Sequence, residues 1–273
     1  MRHLSLRLFS IAALGFCLIF AALNPGAARA QAAESACTKS GVFNGRVFLC
    51  GEVDEEMLEI AEANLFLKGE TAVFIDSIGG SGQIASKISI LLMRNRARVV
   101  IGRHCYSACA QFLVFADNVT VLPWTEIGIH HSNIAFAALK DEFEANGAVF
   151  DWSSIDAVAD YTKFVAKLTN TDPTIFVEAL DQLDVRCYDR AVLSNDTQLM
   201  GFEYQSRFKY WVPTREQINQ ARHVPIKGWW PKSWLAAVLP VNAAASPIDP
   251  LDIVYGSRPL WEGSAKSLRN FCG

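Results

Sequence analysis

Three short stretches hold residues whose types and spacing suit acyl-transfer chemistry. In Arg103-His-Cys-Tyr-Ser-Ala-Cys-Ala110, Ser107 stands where a β-rich run ends and a helical one begins. Unpaired N–H groups and the positive end of the helix dipole there favour a negative charge developing beside the hydroxyl. The same position also suits a serine that only caps the helix. In Ile127-Gly-Ile-His-His131, two histidines end an apolar strand. An imidazole there is a general base if the fold carries it to Ser107, and a structural side chain if it does not. In Ser77-Ile-Gly-Gly80, paired glycines follow a strand and let backbone N–H groups approach a ligand closely, as an oxyanion hole or phosphate cradle requires. The ordinary alternative is a plain βα turn.

The elements that must position these residues follow from hydrophobic periodicity. Arg46–Cys50 reads as a short strand and Asp54–Leu67 as a helix with acids in its first turn, which suits the dipole. Thr71–Ile75 is a continuous apolar run of the buried-strand type, and Asp76–Gly82 a glycine-rich turn opening a helix over Gln83–Arg94. Strand Ala97–Ile101, helix Ser107–Phe115 and short strands at Val119–Leu122 and Glu126–Ile129 complete the pattern. This alternation means βαβ units, hence a parallel sheet with packed helices. Ile155–Leu168 is a long amphipathic helix, and Asp172-Pro173 starts another that runs to Leu183. From 207 to 273, tryptophans sit among prolines with little periodicity, which reads as an irregular extension wrapped over the domain or onto a partner subunit.

The N-terminus combines a basic start, sixteen uncharged residues from Leu8 to Leu23 and a small-x-small site at Ala28-Arg29-Ala30. That is the pattern of a secretory signal, so residues 1–30 are expected to be cut after Ala30 and the product to be periplasmic or secreted. No later stretch is apolar and long enough to span a bilayer. The formal charge is −3, and Arg2, Arg7 and Arg29 are the only formally charged residues of the signal, so the remainder is more acidic still. A nucleic-acid partner needs a basic footprint and is excluded. Of seven cysteines, Cys37, Cys50, Cys105, Cys109, Cys187 and Cys272 lie beyond the signal. An even number in an exported chain points to disulfides, with Cys37–Cys50 the preferred local pair.

Taken together, the motif order resembles the Clp-protease/crotonase superfamily. The likeness is greatest to ClpP-type serine peptidases and their exported relatives, with signal peptide peptidase A more distant. Ser77-Ile-Gly-Gly80 resembles the family's SPGG strand end, Arg103–Cys109 its GxAASMG-like turn and Ile127–Ser132 its IMIHQP-like segment. Leu122-Pro123 precedes His130 at the family's spacing, which picks His130 over His131. The resemblance covers about Val47 to Tyr204 and implies an α/β fold of repeated ββα units over residues 31–206. It implies Ser107 as nucleophile, His130 as base, and an oxyanion hole from the N–H groups of Ala108 and Gly79, or Gly80 in its place. Ser81 and Gly82 would hold an extended peptide by backbone pairing. For the third triad member, Ser194–Gly201 loosely resembles the family's helix, which makes Asp184 the choice over Asp189. The family glycine four residues before the serine is Arg103 here. No cofactor or metal is implied; the partners are peptide or unfolded protein, and the relatives' rings and stacks imply a homo-oligomer.

Other readings stay open. Arg103 in place of the family glycine, and an acid matched only by a loose likeness, favour a catalytically degenerate binding protein on the same fold. His104, Cys105, Cys109, His130 and His131 have the chemistry of a zinc or redox site, although two cysteines four apart at a helix start make a poor chelate. An acyl-CoA reaction fits the fold but not an exported compartment.

Overall fold

The computed structural model describes residues 37, 39–65, 70–123, 125–130, 132–145, 151–183, 185–189, 203–206, 210–228, 253–256 and 258–259. The described residues from Lys39 onward belong to one compact unit. Its strands are β1 (Gly41–Phe43), β2 (Arg46–Val53), β3 (Ala72–Gly80), β4 (Arg98–Tyr106), β5 (Asn118–Val121), β6 (Glu126–Gly128), β7 (Val185–Asp189), β8 (Glu203–Ser206), β9 (Tyr210–Val212), β10 (Lys227–Gly228), β11 (Ile253–Tyr255) and β12 (Arg258–Pro259). Its helices are α1 (Glu55–Leu65), α2 (Gly82–Asn95), α3 (Cys109–Phe115), α4 (Asn133–Ala138), α5 (Lys140–Ala145), α6 (Trp152–Thr169), α7 (Ile175–Leu183) and α8 (Arg215–Gln220).

The architecture is mixed α/β around a mostly parallel sheet. β1 to β5 and β10 lie in the order β1-β2-β3-β4-β5-β10, and only the β1–β2 hairpin among these pairs is antiparallel. β6 is a seventh strand that pairs with the later half of β4, just beyond the half that β5 occupies. The turn between them is tied back: Thr125 donates its hydroxyl to the Gly102 carbonyl at 2.6 Å.

The helices form where local chemistry allows. Asp54 caps α1 by accepting from the Met57 N–H at 2.9 Å, and Ser81 caps α2 by accepting from Ile84. Arg96, at φ +52, closes α2 in the left-handed conformation with its N–H on the Leu92 and Met93 carbonyls. Every residue of α3 is buried, which its run Cys-Ala-Gln-Phe-Leu-Val-Phe, apolar on nearly all sides, requires. Its carbonyl end is closed from far away. Arg222 is buried and donates to the carbonyls of Leu113, Val114, Ala116 and Asp117, a cation set at the negative end of the helix. Burial lowers this guanidinium to about 10, against the attraction of Asp117, and leaves it charged at neutral pH.

Residues 210–228 fall in the segment expected to be irregular, yet they hold β9, α8 and β10. Trp211 is fully buried and donates its indole N–H to the Gly256 carbonyl at 2.7 Å. Residues 1–30, with the expected signal, and most of 229–273 lie outside the described residues. No helix among the described residues is long and apolar enough to cross a membrane.

Candidate active site

Strand register brings the three motifs together. Ser77 of β3 pairs with Cys105 of β4, and Tyr106 of β4 pairs with Gly128 of β6. Ser77-Ile-Gly-Gly80 is therefore not the turn expected from sequence. β3 runs through both glycines, which pair with Glu52 and Val53 of β2. β4 is also longer than expected, because a bulge interrupts its pairing between Ile75 and Ser77. The Asp76 carboxylate fills the gap, accepting from the N–H groups of Arg103 and His104 at 3.1 and 3.2 Å and from the His104 ring at 2.9 Å. With Gly102, Arg103 and His104 absorbed in this way, the chain returns to register and presents Ser107 at the strand end.

Ser107 has φ +54, a conformation that costs an L-residue energy and turns the chain sharply from β4 into α3. Its N–H donates to the Gly128 carbonyl at 2.7 Å, tying the turn to the strand that leads to His130. Ala108, not Ser107, occupies the cap position of α3, with no side-chain cap bond, so the hydroxyl is not used as a helix cap. Cys105 and Cys109 form a disulfide across the turn, with Cα atoms 5.1 Å apart and both residues fully buried. Neither sulfur is thus a thiolate for zinc. Cys37 and Cys50 are each in a disulfide as well. Among the described residues, no group of three or more His, Cys, Asp or Glu is arranged to hold a metal.

His130 follows β6 by two residues. Between them, Ile129 exchanges backbone hydrogen bonds with Trp211 of β9, 2.7 Å in each direction. This clamp brings Tyr210 edge-to-face against the His130 ring, centroids 5.6 Å apart and planes at 87°. Tyr210 also packs on Tyr106, whose hydroxyl donates to the buried Glu126. Burial pushes the Tyr210 phenol above its ordinary range.

Ser107 and His130 line one cleft of about 200 Å³, together with Gly80, Gly82, Ala108 and Gln111. Ile129, Ile134, Val158 and Phe176 form apolar walls. Among the described residues, the Ser107 hydroxyl makes no hydrogen bond to a protein group, the His130 ring included. Gly79 packs directly against Ser107, but its N–H donates to the Ser77 hydroxyl at 3.1 Å. Gly80, which lines the cleft, is the glycine on the cavity side. Asp184 and His131 lie outside the described residues, and of Asp189 only the backbone is described.

Sequence reasoning missed Gln111, Tyr210 and the Cys105–Cys109 bond. Gln111 had a signal, since in the helix expected over Ser107–Phe115 it lies one turn after Ser107. Tyr210 had none, because it arrives through pairing across about eighty residues.

No protein-family model matches the sequence, and no curated protein matches it. Among solved structures, the chain is similar to a mutant of ClpP1 from Listeria monocytogenes, with 22% identity and a TM-score of 0.34 over 46% of this chain and 71% of that one. It is similar also to ClpP1 from Listeria monocytogenes, with 19% identity and a TM-score of 0.31 over 45% of this chain and 85% of that one.

Proposed function

We propose that the protein is an exported ClpP-like serine hydrolase, a peptidase acting on short or unfolded polypeptide. Ser107 is the nucleophile and His130 the base that takes its proton. The N–H groups of Ala108 and Gly80 stabilise the tetrahedral oxyanion, and Asp184 orients the imidazole. Export after Ala30, a domain over residues 31–206 with an extension over 207–273, and assembly into a homo-oligomer belong to the same reading. The observation that carries it is Ser107 itself. This serine is held at φ +54 between strand and helix, released from capping and stapled by a disulfide, in the cleft that His130 also lines. Backbone strain of this kind persists where the surroundings over-determine it, and such positions cluster at active sites.

A second reading, a binding protein on the same fold, draws on the missing hydrogen bond between Ser107 and His130. Catalytic hydrogen bonds are often long before substrate binds, so turnover decides between the two. Incubating the purified protein with an unfolded, fluorescently quenched polypeptide tests it. Hydrolysis that disappears in Ser107→Ala supports the peptidase, undiminished hydrolysis in that variant removes Ser107 as the nucleophile, and no hydrolysis by the native protein leaves the binding reading.

A further inference from the structure

The cleft beside Ser107 has an uneven lining. Beside its apolar walls stand His130, Ser132, Asn133 and Thr162, and among the described residues no acid, lysine or arginine lines it. At its polar side stands Gln111, only 7% exposed. The Ser86 hydroxyl donates to Gln111 Oε1 at 2.7 Å, and the Thr162 hydroxyl lies 3.3 Å from Ser86, so a buried chain of polar groups fixes the amide. That leaves Gln111 Nε2 as a donor without a protein acceptor among the described residues, in a side chain that lines the cavity. Nε2 lies against Gly82, where an added β-carbon would come within 3.1 Å of it.

We propose that this cavity receives the side chain of the substrate residue whose carbonyl Ser107 attacks, and that it selects a neutral hydrogen-bond acceptor of the carboxamide class, glutamine or asparagine. The inference deepens the hydrolase reading and rests on it for the identity of the bound residue. An aliphatic side chain fills the apolar walls but buries the Gln111 N–H unpaired. A carboxylate or ammonium loses its hydration, and no acid, lysine or arginine among the described lining residues replaces it. A carboxamide satisfies the donor and carries no charge.

The test uses binding, so that it does not depend on turnover. Fluorescein-labelled hexapeptides differing at one central position, Gln, Leu or Glu, are titrated into the Ser107→Ala protein and followed by anisotropy. The Gln peptide is expected to bind about tenfold more tightly than either of the others. Gln111→Met, near in shape and without a donor, is expected to erase the difference between Gln and Leu. Leu binding as tightly as Gln, or no binding by any peptide, overturns the proposal, and this comparison needs no second variant to fold. A Gln preference without Ser107-dependent turnover in the native protein keeps the cavity assignment and removes only the hydrolase.

Discussion

Gly79 and Ser107 stand back to back: a β-carbon added to Gly79 would lie 2.5 Å from the Ser107 β-carbon and 3.2 Å from its hydroxyl oxygen. No real pair of β-carbons approaches so closely, and Gly79 also has φ +99, which an L side chain rarely adopts. The strand end and the serine turn therefore fit together only while residue 79 has no side chain.

Gly79→Ala is expected to destabilise the fold by about 3 kcal/mol, through strain and through displacement of the turn. Any hydrolysis should fall at least as far as in Ser107→Ala. Denaturant titration checks the first effect and peptide turnover the second. A variant as stable as the native protein would mean that the two residues do not touch.

Ser107 carries its own conformational cost. Replacing it by glycine removes the clash of its β-carbon at φ +54, so Ser107→Gly should be about 1 kcal/mol more stable than Ser107→Ala while equally inactive. Thermal melts of the two variants compare them directly. Equal or reversed stabilities would show that the turn is unstrained.

The disulfide across that turn closes a loop of only a few residues, so its chain-entropy contribution is small, about 2 kcal/mol. Both cysteines are fully buried, and a dithiol reductant reaches them only through opening of the fold. Thiol counting is expected to find Cys105 and Cys109 resistant to mild dithiothreitol in the native state and reducible in denaturant. Cys105→Ala with Cys109→Ala should lose about 2 kcal/mol of stability. Rapid native-state reduction would contradict the buried placement.

Alkaline pH tests the packing behind His130. Burial raises the Tyr210 phenol above its usual 10, and burial together with Glu216 does the same for Tyr255. In the unfolded chain these phenols ionise first, so just above pH 10 the folded state binds more protons and stability falls as pH rises. Melting temperatures from about pH 9 to about pH 11 should decline, and Tyr210→Phe should flatten the decline. A rise over that window would contradict the buried phenols.

The parallel order of β2 to β5 and the helices between them were legible because apolar runs alternate with 3.6-residue periods, a local signal. The resemblance singled out Ser107 and His130, and both line one cleft. What the sequence hid was irregular or remote. The bulge held by Asp76 replaces backbone pairing with a side chain, which no periodicity records. The Cys105–Cys109 bond spans the turn at Ser107, whose positive φ no local periodicity records. The Tyr210 contact and the Arg222 closure of α3 arrive from a stretch whose prolines and tryptophans mask three short elements. In each case the information lies in tertiary pairing rather than in neighbouring residues.

The nucleophile is tested most directly by treating the purified protein with a fluorophosphonate and mapping the adduct by mass spectrometry. The expected result is one phosphonylated peptide containing Ser107, absent in Ser107→Ala and formed at least a hundredfold more slowly in His130→Ala, on the order of a lost general base. An unmodified Ser107 peptide, or labelling that persists at full level in Ser107→Ala, would contradict the assignment.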